Sequence, residues 1–144
     1  MSETQNVALG INSMRNGRNT ELQWPDYYPQ NCPPAEAEPA SGTVYRLVKH
    51  NPPQAEDFLS TWEEFPGRFP EPTIRISGAS VHRDLQDSER LKNRIGHLRN
   101  RKIAKGELNS VLGVIQHTPS REKSHHTWWI PIGAEPWLVF RVIK

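Results

Sequence analysis

The densest collection of side chains capable of chemistry runs Ser124-His125-His126-Thr127-Trp128-Trp129-Ile130, with Trp137 to Ile143 close behind. Two of the six histidines and three of the five tryptophans fall in that span. Histidines invite a metal reading, with His82, His117 and Cys32 as further donors. Zinc takes four ligands that usually arrive as tight pairs such as C-x-x-C or H-x-x-x-H. Here the only close pair is adjacent, and neighbours on a strand point to opposite faces. The single cysteine also sits in a proline-rich stretch, so no metal site is expected. Nucleophilic hydrolysis finds no support either. No serine lies in a Gly-x-Ser-x-Gly elbow, and Cys32 is remote in sequence from every histidine.

The second candidate is a basic run. Arg90, Lys92, Arg94, Arg99, Arg101, Lys102 and Lys105 follow one another with Glu89 just ahead of them as the neighbouring acid. On a helix these side chains edge the stripe Leu91/Ile95/Leu98, where long stems cover apolar surface while their charges stay wet. Such a row suits an acidic protein partner, with Arg90, Arg94, Arg101 and Lys102 making contact. Weak binding of nucleic acid through residues 90–105 is the other use of that charge, contacting phosphate without reading sequence.

The third candidate is an ordered trio. Arg46 follows Tyr45 on a first strand, Ser80 lies in Gly78-Ala79-Ser80-Val81 ahead of a helix, and Glu135 precedes the last strand-like segment. This order resembles the arginine–serine–glutamate layout of ADP-ribosyltransferases. The resemblance implies NAD as cofactor, with Arg46 gripping the dinucleotide phosphates, Ser80 orienting the glutamate, and Glu135 binding ribose or polarising the attacking group. A fixed guanidinium matches pyrophosphate, and a carboxylate suits an oxocarbenium-like sugar. The family usually carries a second Glu or Gln two residues before the glutamate, where this chain has Gly133.

The tryptophans point to association instead. Trp128 and Trp129 face opposite sides of one strand, so one anchors the core and the other needs a cover. Trp24, Tyr27 and Tyr28 are the aromatic residues of a proline-rich strap and join them as candidate partner-binding positions.

These residues have to be positioned by regular elements. Met1 to Thr20 is polar and reads as a disordered tail. Residues 21–42, with their prolines, read as an extended strap. A single α+β domain then fills 43–144. Thr43 to Lys49 has the β-branched and aromatic content of a strand, with Arg46 a charge on the face of Val44 and Val48. Asn51-Pro52-Pro53 starts a helix whose stripe Ala55, Phe58, Leu59 and Trp62 carries it to about Phe65. Short strands are expected at Thr73–Ile76 and Ala79–His82, then a helix from Asp84 to Asn100. Ile103–Leu108 and Gly113–His117 follow as strands, and Thr127–Ile132 with Trp137–Ile143 as a hairpin across Gly133 to Pro136. The sum is a mainly antiparallel sheet of five to six strands, two packed helices and an extended proline-rich N-terminal arm.

Composition bounds the rest. At 144 residues the chain suits one domain, and a net charge of +2 asks for no nucleic-acid partner by itself. A lone cysteine and the absence of a long apolar run or leader-like start suit a cytoplasmic protein with no membrane partner. The leading expectation is an accessory module that binds a protein partner or itself, with no cofactor. The transferase using NAD and the nucleic-acid binder stand as alternatives.

Overall fold

The computed structural model describes residues 21–144, and the tail assigned to Met1–Thr20 lies outside them. One sheet of seven strands organises the molecule: β1 (Glu38–Pro39), β2 (Gly42–Val48), β3 (Ala79–His82), β4 (Lys102–Leu108), β5 (Val114–His117), β6 (His125–Trp129) and β7 (Phe140–Val142). Their order is β1-β5-β6-β3-β2-β4-β7, and every pair is antiparallel. The α+β expectation holds with a larger sheet than the five to six strands anticipated. The surplus is β1, two residues of the strap that pair with β5.

On one face Val44, Val48, Val81, Ala104, Ile115, Trp128 and Phe140 form the core together with Phe58 and Leu112. The alternation of β2 sends Val44, Arg46 and Val48 to that face, and all three are buried. Trp128 stacks on Phe140 and meets Phe58 edge-on. The other face, carrying Tyr45, Leu47, Ser80 and His82, receives α2 (Leu85–Arg94). Asp84 caps that helix by accepting from the Gln86 N–H.

Four sequence expectations need correction. The helix expected over 51–65 is a 3-10 turn at Ala55–Phe58 and a single turn α1 (Thr61–Glu64). Ser60 and Glu63 form a capping box there, which starts a new turn where the apolar stripe continues. Upstream, the Asp57 carboxylate accepts from Lys49 N and Gln54 N, tying the segment to the end of β2. The helix expected to reach Asn100 ends at Ile95, whose backbone is extended, and Gly96 opens a 3-10 turn. Thr73–Ile76 forms turns rather than a strand.

The hairpin joining the two tryptophan-bearing segments is absent. β6 already has β3 and β5 on its two sides, and β7 crosses to pair with β4 at the far edge. Gly106 accommodates that crossing. A Cβ there would stand 2.5 Å from the Phe140 ring, so only glycine lets Phe140 lie over β4 and join the core.

Candidate functional site

Two features of the surface and interior collect the residues of interest. The first lies where β2 and β3 part. Their ladder contains a single pair, Tyr45↔His82, and beyond it the strands diverge toward Val48 and Ala79. The Arg46 guanidinium fills the gap. Its Nε donates to Asp57 O at 2.7 Å, one terminal nitrogen to Ser80 O at 2.7 Å, and the other to Leu59 O at 3.0 Å. One side chain thereby satisfies a β3 carbonyl that the broken ladder leaves open and two carbonyls of the 57–59 segment. Burial holds the Arg46 pKa below its ordinary value, while Glu64 and Asp57 pull it back up.

Beside that guanidinium is a cavity of about 140 Å³, lined by Arg46, Ser80, His82, Glu64 and Arg101 with Leu91 and Leu98 among the apolar walls. His82 is 2 % exposed. Its Nδ1 pairs with Ser88 Oγ at 2.8 Å, and its Nε2 has no partner among the described residues. Burial drives the His82 pKa down to about 4, helped by the nearby His125 ring, so the imidazole is neutral at pH 7. Ser80 Oγ lies 3.0 Å from His125 Nε2, and His125 Nδ1 lies 2.9 Å from Thr118 O. Nδ1 also lies 3.0 Å from Thr118 Oγ1; in the tautomer with the proton on Nδ1, it donates to the Thr118 carbonyl and Ser80 donates to Nε2. Burial lowers the His125 pKa as well. The pair joins β3 to β6, and sequence separation hid it.

The second feature is an open groove of about 1130 Å³. The strap at Glu21–Gln23, Pro39 of β1, the 3-10 turn Ser110–Leu112, the loop 131–135 and the 3-10 turn Pro136–Val139 build its walls. The strap is anchored there by Ile132 N–H donating to Gln23 O at 2.8 Å. Val111, Ile132 and Leu138 line the groove at 68 %, 58 % and 70 % exposure. They are the exposed large hydrophobic residues of the described chain. Glu21 and Glu135 are its charged lining residues.

Against these features the expected site residues divide. Arg46 and Ser80 line one cavity, but Glu135 lies in the groove, and the two depressions share no lining residue. The trio is therefore not gathered around one cleft. The cavity is also smaller than the roughly 300–1,000 Å³ of ordinary small-molecule and cofactor sites.

The tryptophan surface is corrected outright: Trp128 is 0 % and Trp129 1 % exposed. A strand in the middle of a seven-stranded sheet has both faces covered, Trp128 by the core and Trp129 by the 74–78 turn. Trp128 Nε1 donates to Leu112 O and Trp129 Nε1 to Ile74 O. Trp24, Tyr27 and Tyr28 pack within the chain. Trp24 stacks on Tyr28, and Tyr27 Oη lies 2.8 Å from Ser60 Oγ. Burial raises the pKa of Tyr27 to about 12 and, with the neighbouring phenol, that of Tyr28 further. Cys32 is pushed up to about 11 by burial, which leaves it an inert thiol.

The basic row is partly spent on the chain's own acids. Arg90 pairs with Asp87, Arg94 with buried Glu122 through two nitrogens, and Arg101 with Glu64. Lys102 makes no ion pair among the described residues. The expected acidic-partner face is thus reduced from four charges to one free charge plus three that are already answered. No group of three or more His, Cys, Asp or Glu residues among those described is arranged to hold a metal ion. No described helix is long and apolar enough to cross a membrane. Comparison with protein-family models, curated proteins and solved structures finds no match to this chain.

Proposed function

We propose that the protein is a binding module for another protein, and that the groove walled by Val111, Ile132 and Leu138 is where the partner docks. The observation that carries this is the convergence of the exposed large hydrophobic residues on one concave surface. Apolar side chains scattered singly over a surface need no explanation, whereas a clustered and concave set marks recognition. The sheet edges argue for the same mode of contact. β1 is two residues long and ends in Pro39, and β7 is three residues long, so neither offers a row of amides for an added strand. Recognition falls to side chains entering the groove.

The charge of the lining names the partner's chemistry. With Glu21 and Glu135 as the charged walls, the occupant is a segment with a row of apolar side chains beside a Lys or Arg. This moves the contact surface from the buried tryptophans and the basic helix to the opposite polarity. Selection of displayed random peptides on the full chain tests it. Enriched sequences are expected to combine apolar residues with a basic one. Ile132→Asp together with Leu138→Asp should abolish binding while leaving folding stability within about 0.5 kcal/mol, because both side chains are exposed. Glu135→Lys should shift the selected flank from basic to acidic. Enrichment of acidic peptides by the unaltered chain, or binding that survives the double substitution, sinks the proposal.

A further inference from the structure

The cavity beside Arg46 has no part in the groove and rests on separate observations. Its polar lining residues are Arg46, Arg101, Glu64, Ser80, His82 and Thr61. Two guanidinium groups face one carboxylate, and His82 is neutral, so the lining carries one positive charge in excess. The hydrogen bonds of Arg46 go to neutral carbonyls, with three of its five N–H groups committed, and its guanidinium lies over the Phe58 ring. Glu64 is already bonded to Arg101 at 3.3 Å, and Asp57 to His50 and two backbone amides. A buried charge without a directly bonded counter-charge is costly and is normally paired.

His82 adds an independent sign. Its Nε2 is a buried side-chain nitrogen without a partner among the described residues, in a residue that lines this cavity. Buried polar atoms are nearly always bonded, so an orphan nitrogen in a cavity-lining residue calls for a partner. Ser88 Oγ can donate to Nδ1, and in the tautomer that results Nε2 carries the proton and asks for an acceptor. Arg46 and Arg101 ask for the same thing. The remaining wall, Leu47, Leu59, Phe65, Leu91 and Leu98, is apolar and asks for hydrocarbon.

We propose that this cavity is a binding site for a short-chain carboxylate. The carboxylate sits between His82 Nε2 and the free N–H groups of Arg46 and Arg101, and its alkyl end lies against Leu91 and Leu98. The volume of about 140 Å³ admits an anion of that size and excludes a nucleotide.

The test follows the His82 ring nitrogens by long-range proton–nitrogen NMR on the full chain, during titration with sodium acetate, propionate and butyrate. Sodium chloride at equal ionic strength and butylamine are the controls. A saturable shift of His82 Nε2 with propionate or butyrate, absent with both controls, is the expected result. Arg101→Gln should weaken that binding about tenfold by removing a charge-assisted donor. Leu98→Trp should block it by filling the alkyl end, and both variants should retain the unaltered imidazole spectrum in the absence of carboxylate. No saturable shift with any carboxylate, an equal response to chloride, binding of the amine, or affinity untouched by both substitutions overturns the proposal.

Discussion

His82 shows how much a single buried ring can govern. Its neighbours are Ser88 and the rings of His125 and His126, with the carboxylates of Asp87 and Glu122 opposing them, and burial outweighs the acids. The unfolded ring titrates near 6.5 and the folded one near 4. Between those values the unfolded chain binds a proton that the folded chain refuses. The stabilisation is therefore complete above pH 6.5 and is lost as pH falls toward 4, by roughly 3 kcal/mol from this residue. His125 and His126, also lowered by burial, add in the same direction. Chemical denaturation at a series of pH values should show that decline, and His82→Gln should flatten it. An unchanged slope in the variant removes His82 from the account. None of this was legible in the sequence. Strand alternation placed Arg46 with Val44 and Val48, but a histidine in a four-residue strand carries no mark of whether its ring nitrogens are bonded. Ser80 and His125 are likewise brought within bonding distance only by the β3–β6 register.

Elements dominated by local pattern were the readable ones. β2, β3, β4 and β5 follow their β-branched and alternating sequences closely, and the start of α2 follows Asp84. Elements whose form depends on distant contacts were not. The 51–65 segment has a helical stripe, yet Asp57 and Ser60 spend their side chains on turns. Trp137–Val139 has strand composition and winds as a 3-10 turn, because the strand positions beside β6 are taken. The turn between the Ser110–Leu112 element and β5 is a sharper case of the same dependence. Gly113 has φ 118°, and a Cβ there would stand 2.0 Å from Trp129 O. Gly113→Ala therefore combines a left-handed strain with a clash against β6 backbone, and should cost roughly 2–4 kcal/mol in equilibrium denaturation. A loss under 0.5 kcal/mol would show that β5 and β6 can shift apart at that end. The groove is the part of the candidate site furthest from sequence reading, since Val111 comes from the β4–β5 connection and Ile132 and Leu138 from the β6–β7 connection.

At the scale of the whole molecule, the seven strands are less continuous than their order implies. β1-β5-β6-β3 forms one ribbon and β2-β4-β7 another. Across their junction run one ladder pair, the Arg46 bond to Ser80 O and the Arg83 bonds to Ser41 O and Thr43 O, with α2 lying over one face and the Trp128–Phe140 stack joining the two on the other. With backbone pairing across the seam limited to one ladder pair, the two ribbons are expected to open at different free energies. Native-state amide exchange should resolve them, with β2 and β4 amides sharing one opening free energy and β5 and β6 amides another. Arg46→Met removes the partner of one buried and two part-buried carbonyls and should cost roughly 3 kcal/mol. It should also separate the two groups further. A single opening energy for all these amides, before and after the substitution, would show the sheet to be one unit. The carboxylate cavity opens on this seam, so an anion held there by Arg46 and Arg101 on one side and His82 on the other would act as a clasp. Occupancy would fasten the two halves together, and ligand binding would be read as resistance to opening.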